Sequence, residues 1–137
     1  IGRCLRREPV LIHGIGQNIR DWIHVSDHVR GIHQAIQYGQ IGEVYNIGGG
    51  EKSEFANMEM AKTICDFVDE ERHERIGTSR ELITLTDNRP GNDRRYSMNT
   101  AKLQLKIGWK PTIKLKSGLR QTVKWYINNP IYCEKAR

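Results

Sequence analysis

The sequence predicts an α/β fold in which short strands alternate with capped helices. Two observations carry this prediction. Apolar runs at residues 10–12, 42–47 and 82–86 are bounded by glycines, proline or polar loops, which is typical of strands. Between these runs, apolar residues recur with helical spacing after residues that favour helix N-termini.

Length and charge limit the classes of function. With 137 residues the chain has single-domain length, and its net charge of +6 favours anionic partners. The basic residues are interleaved with acidic ones, which is typical of surface charge rather than of a nucleic-acid footprint. The sequence contains neither a signal peptide nor an apolar run long enough to cross a membrane. We therefore expect a cytoplasmic protein that binds neither nucleic acid nor membrane.

The first residues and the cysteines add two expectations. The chain does not begin with Met, and residues 1–7 resemble the end of a helix without its start, so we expect a fragment of a longer protein. Cys4, Cys65 and Cys133 are far apart and include no CxxC pair, so neither a disulfide framework nor a zinc knuckle is predicted. Cys65 lies on a predicted apolar helix face and is expected to be inert core.

The first half of the chain combines a loop with a helix. Residues 13–18 (HGIGQN) form a glycine-rich loop, but the third glycine of a dinucleotide fingerprint is absent, so we reject that role. A short extended piece is predicted at residues 19–25, followed by a helix that Ser26 or Asp27 caps and Gly39 ends. The predicted buried face of this helix consists of Val29, Ile32 and Ile36.

Histidines occur near this helix without forming a metal site. His24 and His28 have the spacing of one helical turn, but His24 precedes the predicted helix, and no Cys or Glu completes a ligand set with them or with His33. No metal is therefore expected.

The second half contains three further predicted helices. Glycines 48–50 follow the predicted strand 42–47 and allow a close backbone approach or positive φ angles. Asn57 is predicted to cap the next helix, Thr100 a short helix that ends at Gly108, and Ser117 the last helix. The predicted core face of the first of these helices consists of Met58, Ala61, Ile64, Cys65 and Val68.

Residues 87–96 (DNRPGNDRRY) concentrate polar side chains where a strand is expected to lead into a loop. Arginine donors suit phosphate and carboxylate groups, and the Pro-Gly pair fixes a sharp turn. By itself this loop is equally compatible with a solvated set of salt bridges. Arg20, the glycine turn, Asn57 and Arg89 together predict a site for a phosphorylated ligand, since two arginines on separate loops suit a diphosphate.

Several segments resemble one enzyme family. Residues 20–31 (RDWIHVSDHVRG), 42–49 (GEVYNIGG) and 89–96 (RPGNDRRY) are similar, in order, to segments of dTDP-glucose 4,6-dehydratases, members of the extended short-chain dehydrogenases. Residues 108–111 (GWKP) and 118–126 (GLRQTVKWY) continue the resemblance. The first and third segments are specific to this branch, whereas YNIGG alone would indicate the wider nucleotide-sugar epimerase/dehydratase family.

The resemblance implies the carboxyl-terminal, substrate-binding part of an extended Rossmann-type enzyme that uses NAD. Such an enzyme oxidises the sugar at C4, eliminates water across C5 and C6, and returns the hydride. The family's NAD fingerprint, its Tyr-x-x-x-Lys pair and its acid/base residues lie upstream of the matching segment. We therefore expect no catalytic and no cofactor-binding residue in this chain, and no activity from the chain alone.

The resemblance also assigns residues to the substrate. Arg20 and Arg89 match arginines at the nucleotide diphosphate, and Asn57 matches an Asn that binds the same region. His13 stands where an aromatic residue flanks the base. Asn92 replaces the family's His, so it can bind a phosphate or ribose only as an uncharged group, and Asn88 likewise replaces an Asp.

The sequence thus predicts the dTDP-sugar-binding region of a dehydratase over residues 1–137, with about residues 20–47 packing on a missing NAD-binding domain and the whole protein a homodimer. Two alternatives stay open. One is a related NAD-dependent nucleotide-sugar epimerase or decarboxylase, and the other is a non-catalytic nucleotide-sugar-binding module.

Overall fold

The computed structural model describes residues 1–134 of the chain. The helices of this part are α1 (Gly2–Leu5), α2 (Val25–Tyr38), α3 (Asn57–Glu71), α4 (Ala101–Ile107), α5 (Leu115–Asn128) and α6 (Ile131–Glu134). The strands are β1 (Val10–His13), β2 (Ile19–Asp21), β3 (Glu54–Ala56) and β4 (Ile83–Thr86). Single 3-10 turns occupy Glu51–Ser53 and Ser79–Leu82. The mixture of helices with a parallel strand pair confirms the predicted α/β class.

The described residues form two compact units. Unit 1 contains residues 1–18, residues 56–94 and the chain from Leu119 onward, whereas unit 2 contains residues 19–55 and 95–118. Each unit is therefore assembled from segments that are distant in the sequence.

Unit 1 is built on the parallel pair β1–β4, in which Val10 lies opposite Ile83 and His13 opposite Thr86. The core of the unit consists of Cys4, Cys65, Phe67, Val68 and Val123. Cys65 and Val68 were predicted on the apolar face of α3, and both are fully buried, so this prediction is confirmed. Burial of such side chains is the main source of stability for the unit.

A buried carboxylate closes the end of α3 in unit 1. Asp69 is fully buried. It accepts hydrogen bonds from the backbone N–H of Gly77 at 2.9 Å and of Ser79 at 3.0 Å. These bonds fix the turn that leads from α3 toward β4. They also satisfy the carboxylate, which is tolerated in a buried position only when its oxygens are paired.

Unit 2 has its own core, with Leu103 and Trp109 fully buried. Gly31 on α2 lies against Trp109, since a Cβ at position 31 would come within 3.1 Å of the indole ring. Gly108 ends α4 in the left-handed conformation (φ 77°), as predicted from its position after the apolar positions of the helix.

Asp27 connects α2 to the segment before α5. The Asp27 carboxylate is 1% exposed. It accepts hydrogen bonds from the backbone N–H groups of Thr112 (2.9 Å) and Ile113 (2.8 Å), and from Arg30 at 2.5 Å. Burial alone would raise the pKa of Asp27, but the hydrogen bonds from Arg30 and the two backbone N–H groups outweigh it and lower the pKa below 3.8.

The predicted strand at residues 42–47 is wrong. No residue in this stretch belongs to a strand, and the side chain of Val44 is 77% exposed. A strand needs a hydrogen-bonded neighbour, and none of the four described strands pairs with this stretch. Side chains hold the backbone instead, since Lys102 donates to the carbonyl oxygen of Val44 at 2.8 Å.

Two details of α2 also differ from prediction. His24 caps the helix, because its Nδ1 accepts from the backbone N–H of Ser26 at 3.3 Å, while Asp27 is occupied at its other contacts. The predicted buried face is exposed within the described residues, with Val29 56%, Ile32 42% and Ile36 78% exposed. The helical spacing was interpreted correctly, but nothing described here covers that face.

The starts of three other helices need correction. Asn57 is the first residue of α3 and does not cap it, since Ala56 occupies the cap position. Thr100 occupies the cap position of α4 without a side-chain cap bond, and Asn99 Oδ1 accepts from the N–H of Ala101 instead. The predicted last helix corresponds to α5, which begins at Leu115, before the predicted start at Ser117. Helix boundaries depend on which side chain reaches the free N–H groups, and the sequence leaves several choices.

Candidate functional site

The carboxyl ends of β1 and β4 lie at the same edge, because the two strands are parallel and in register. Polar loops leave both strands at this edge: residues 13–18 after β1 and residues 87–94 after β4. Ligand sites of open α/β sheets occupy such edges. The N-terminus of α3 lies at the same edge, because its first N–H groups donate to the loop 13–18.

The first loop packs tightly on the start of α3. Gly14 and Gly16 have φ values of 61° and 72°, in the left-handed region that favours glycine. A Cβ at position 16 would come within 2.8 Å of Met58 Cβ. The carbonyl oxygens of Gly16 and Asn18 accept from the N–H groups of Met58 (2.9 Å) and Asn57 (3.0 Å). The glycines therefore permit a contact that anchors the loop to the helix.

The second loop is tied to the first through amide side chains. Asn18 Nδ2 donates to the carbonyl oxygens of Asp93 at 3.0 Å and Asn92 at 3.4 Å. Asn92 Nδ2 donates to Asn88 Oδ1 at 2.9 Å. These bonds fix the turn around Arg89, so the loop 87–94 is held in place by side chains as well as by its own backbone.

His13 lies exposed at the end of β1. Its Nδ1 is 3.2 Å from the carbonyl oxygen of Asp87 and 3.2 Å from Thr86 Oγ1. A carbonyl oxygen only accepts, so Nδ1 carries the proton when it bonds to Asp87, and Nε2 is then left as an acceptor. The imidazole ring is thereby oriented, and it stays accessible to a ligand.

Arg89 and Asn57 supply donors at this edge. The side chain of Arg89 is exposed, and within residues 1–134 its guanidinium has no ion-pair or hydrogen-bond partner. The side-chain amide of Asn57 is half-buried and likewise makes no hydrogen bond in the described part of the chain. The backbone N–H of Asn57 is not open to a ligand, since it donates to the carbonyl oxygen of Asn18.

We call His13, Asn18, Asn57, Arg89 and Asn92 the strand-end cluster. All of its members belong to unit 1. Four of the five residues predicted from the sequence lie in it, on the loops, strand end and helix start joined by the hydrogen bonds above. Guanidinium, amide and imidazole groups are the hydrogen-bonding groups that bind phosphate oxygens and ribose hydroxyls. The chemistry that the cluster supports is the binding of an anion.

Arg20, the fifth predicted residue, lies in unit 2. Its guanidinium stands 4.6 Å above the ring of Tyr96, and Nη1 donates to the carbonyl oxygen of Ile19 at 2.7 Å. The backbone N–H of Tyr96 donates to the same carbonyl oxygen at 3.1 Å. This half-buried arginine is therefore held over an aromatic ring, a contact that restricts the positions of its donors.

The glycine turn of unit 2 packs on the residue after Arg20. Asp21 Oδ1 accepts from the N–H of Gly49 at 2.8 Å, and Oδ2 of the same carboxylate is buried. A Cβ at Gly48 would lie 2.3 Å from Asp21 Oδ2, and one at Gly49 would lie 2.1 Å from the carbonyl oxygen of Trp22. The close backbone approach predicted for these glycines is confirmed.

A surface network flanks Arg20 in unit 2. Glu54 accepts from the hydroxyl of Ser97 at 2.5 Å and from Arg95 Nε at 2.9 Å. The bond from Ser97 and then that from Arg95 lower the pKa of Glu54. The network ties the residues after the loop 87–94 to β3.

Sequence reasoning missed two positioning residues, Asn18 and Asp21. Asn18 links the two loops of the strand-end cluster, and Asp21 supports the glycine turn. A signal existed for both: an amide closes the glycine-rich loop 13–18, and an acid directly follows Arg20. Their partners, however, are distant in sequence, so the contacts themselves were not predictable.

Two features are absent from residues 1–134. Groups of three or more His, Cys, Asp or Glu side chains arranged around a common point are not found there. Across the same residues, no helix combines the length and apolar character needed to cross a membrane.

Known proteins are similar to this chain in sequence and in structure. The model of the GDP-mannose 4,6 dehydratase family matches residues 2–122. The dTDP-glucose 4,6-dehydratase of Salmonella typhimurium is 43% identical over 126 residues, which cover 92% of this chain and 34% of that protein. This chain thus spans about a third of the length of that curated relative.

Solved structures give the same result. The crystal structure of dTDP-glucose 4,6-dehydratase from Bacillus anthracis in complex with NAD is 30% identical, with a TM-score of 0.79, over 98% of this chain and 39% of its own. UDP-glucose 4-epimerase of Thermotoga maritima, solved with UDP-glucose, is 28% identical with a TM-score of 0.78, over 94% of this chain and 38% of its own. The chain therefore belongs to the GDP-mannose 4,6 dehydratase family, and it is similar to dTDP-glucose 4,6-dehydratases over the carboxyl-terminal portion of their Rossmann-type fold.

Proposed function

We propose that this chain is the sugar-nucleotide-binding part of an NAD-dependent dTDP-glucose 4,6-dehydratase, a lyase of deoxysugar biosynthesis. The observation that carries the proposal is the strand-end cluster, in which Arg89 stands on a braced loop at the strand edge that also carries His13, and its guanidinium has no partner within residues 1–134. Relatives that are about two-fifths identical over nearly the whole chain carry the name of this enzyme.

The proposed ligand is a dTDP-sugar. Different residues of the strand-end cluster are proposed to contact its diphosphate, its base and its ribose. Arg89 and the Asn57 amide donate to the diphosphate, His13 lies against the base, and Asn92 donates to a phosphate or ribose oxygen. Arg20, which lies in unit 2, is proposed separately as a dTDP-sugar-binding arginine. An exposed arginine contributes here because phosphate binding does not require it to leave an existing ion pair.

NAD is assigned to the part of the whole enzyme that precedes this chain. In unit 1 the carbonyl oxygens of Gly16 and Asn18 already engage the first N–H groups of α3. A dinucleotide pyrophosphate needs such N–H groups open, so the loop 13–18 does not fit NAD. We propose that the chain alone is inactive, because the family's catalytic residues are expected in that preceding part.

A preceding NAD-binding domain also accounts for the exposed apolar residues of unit 2. Val29, Ile32 and Ile36 form one stripe of α2, and Ile41 and Val44 follow it with 100% and 77% exposure. An uncovered apolar stripe of this kind normally packs on another surface. We propose that residues 20–47 pack on the NAD-binding domain of a whole enzyme that is a cytoplasmic homodimer and binds neither nucleic acid nor membrane.

A second candidate function is that of a nucleotide-sugar epimerase, which the similarity to a UDP-glucose 4-epimerase structure favours. The segment RPGNDRRY at residues 89–96 argues for the dehydratase. A third candidate is a non-catalytic binding module. The DNA sequence upstream of the Ile1 codon distinguishes this module from the enzyme. An in-frame glycine-rich fingerprint followed by Tyr-x-x-x-Lys there supports the enzyme, whereas a stop codon supports the module.

The binding proposal is tested by calorimetric titration of the protein with dTDP and with UDP. Replacing Arg89 with Ala weakens dTDP binding by about 1.5–3 kcal/mol, the scale of a hydrogen bond to a charged group, which corresponds to roughly 10- to 150-fold. The matched control is Arg75→Ala, which removes an exposed arginine of unit 1 that pairs with Glu81. Equal affinity in the Arg89 variant and the parent would remove Arg89 from the site.

A further inference from the structure

Two cysteines of unit 1 that are distant in the sequence are in contact. Cys4 lies in α1 and Cys65 in the middle of α3, 61 positions apart, and their Sγ atoms are 3.8 Å from each other. Cys4 is 1% exposed and Cys65 is fully buried. Both thiols are free and belong to the hydrophobic core of the unit. Neither takes part in the strand-end cluster.

We propose that Cys4 and Cys65 form a reversible disulfide that tethers α1 to α3 when a peroxide oxidises the pair. Sulfur atoms in van der Waals contact need only a side-chain rotation to reach bonding distance, and helices that already pack together require little backbone movement. The expectation that Cys65 is inert core is thereby extended: the residue is core in the reduced protein and half of a redox pair in the oxidised one.

The reaction balances with a peroxide as the oxidant. The thiolate of Cys4 attacks one peroxide oxygen, the O–O bond breaks, and Cys4 becomes a sulfenic acid while hydroxide leaves. The Cys65 thiol then attacks the sulfenic sulfur, the S–S bond forms, and the sulfenic oxygen leaves as water with the thiol proton. The two sulfurs together lose two electrons, which the peroxide takes up.

The two thiols differ in pKa, and the difference makes Cys4 the first to react. The hydrogen bond with Cys65 lowers the pKa of Cys4 to about 7, against the opposing effect of burial. The same hydrogen bond, together with burial, raises the pKa of Cys65. At neutral pH one sulfur is therefore available as the nucleophilic thiolate while the other keeps its proton.

Access to the buried pair requires local opening of the contact between α1 and α3, since Cys4 and Cys65 are both buried. Opening of part of unit 1 costs less free energy than unfolding of the whole unit. The oxidant then reacts with Cys4, whose pKa is the lower of the two, and reclosure brings the sulfenic acid back to Cys65.

The third cysteine provides an internal standard for the test. Cys133 is also buried, and it lies on α6. The spacing from Cys65 to Cys133 along the chain is close to that from Cys4 to Cys65. In an unfolded chain the two pairs therefore form disulfides in similar amounts, because the entropy of loop closure changes only slowly with loop length.

The experiment oxidises the dilute 137-residue chain with hydrogen peroxide in native buffer, at a temperature at which tryptophan fluorescence shows the chain folded, and in concentrated urea. Peptide mass spectrometry without reduction follows. In native buffer, the Cys4–Cys65 crosslink exceeds the Cys65–Cys133 crosslink by about tenfold or more, whereas in urea the two are comparable. A Cys133→Ser variant retains the native crosslink. Dithiothreitol removes it, and the thermal midpoint of unfolding falls by roughly 10 °C.

Two results would overturn the proposal. One is a native distribution of crosslinks that equals the distribution in urea, because contact in the folded state would then have no effect. The other is oxidation of Cys4 to sulfinic acid with no crosslink to Cys65. Both readouts use the parent sequence, so they remain decisive if a Cys4 or Cys65 variant fails to fold.

Discussion

Asp27 is the residue whose removal we expect to destabilise unit 2 most clearly. Its carboxylate receives the backbone N–H groups of Thr112 and Ile113 on one oxygen, and Arg30 and the Thr112 hydroxyl on the other. Asp27→Ala removes all four bonds and leaves two backbone donors unpaired, at a cost of about 3 kcal/mol. Asp27→Asn keeps one acceptor oxygen and costs about half as much, since an N–H₂ group then faces Arg30.

The effect of pH has a definite sign. The pKa of Asp27 is lower in the folded chain than its ordinary value of 3.8. A lowered carboxylate pKa adds stability that is fully present above the unfolded pKa of about 3.9 and is lost as pH falls through the folded value. The difference in unfolding free energy between the parent and Asp27→Ala is therefore constant from about pH 5 to 7 and shrinks below about pH 4.

The assay is urea unfolding followed by tryptophan fluorescence, with buried Trp109 as the reporter in the same unit. Glu43→Gln is the matched control, because it removes an exposed carboxylate that pairs with Lys102 and is expected to cost much less than either Asp27 variant. The graded Asn variant keeps the measurement informative where the Ala variant unfolds. A loss as small as that of the control, or one independent of pH down to pH 2, would refute the reasoning.

Three further predictions concern packing and autonomy. Gly49→Ala places a Cβ 2.1 Å from the Trp22 carbonyl oxygen and should lower the midpoint of urea unfolding. Ala at the unobstructed Gly77 (φ 100°) strains only the backbone, and equal losses in the two variants would contradict the packing argument. Asp69→Asn sets an amide N–H₂ against two backbone donors and should cost about 2 kcal/mol by the same assay, while Asp66→Asn, at a more exposed pair, costs less. The isolated chain is expected to unfold at low temperature or to self-associate because of its exposed apolar stripe, and a cooperative monomeric transition at high temperature would show otherwise.

The disagreement at residues 42–47 shows a limit of local reasoning. An apolar run between glycines satisfies the pattern of a strand, but the pattern says nothing about whether a partner strand is available. The same holds for α2, where the spacing of Val29, Ile32 and Ile36 identified a helix and its apolar face correctly. Burial of that face depends on a surface that the described residues do not provide.

For the site, the residue types carried more information than the contacts. Arg89, Asn57, His13 and Asn92 were predicted as ligand-binding positions from anion-binding chemistry and from the resemblance, and the structure brings the loops that carry them to one edge of unit 1. That the Asn57 backbone N–H is already used by Asn18 could not be predicted. Such a bond depends on how closely a glycine loop approaches a helix, which is a tertiary property.

The sequence by itself determined the α/β class, the helical faces, the strands β1 and β4 and the family, because these depend on local periodicity and on motifs that lie in order along the chain. Only the tertiary structure decided that two segments more than seventy positions apart pair in parallel, that Asp27 and Asp69 are buried and paired rather than solvated, and that Cys4 meets Cys65. The physical reason is common to these cases. Pairing of buried polar groups and strands is settled by whichever partner lies within hydrogen-bonding distance in space, and one sequence allows many such partners until the chain has folded.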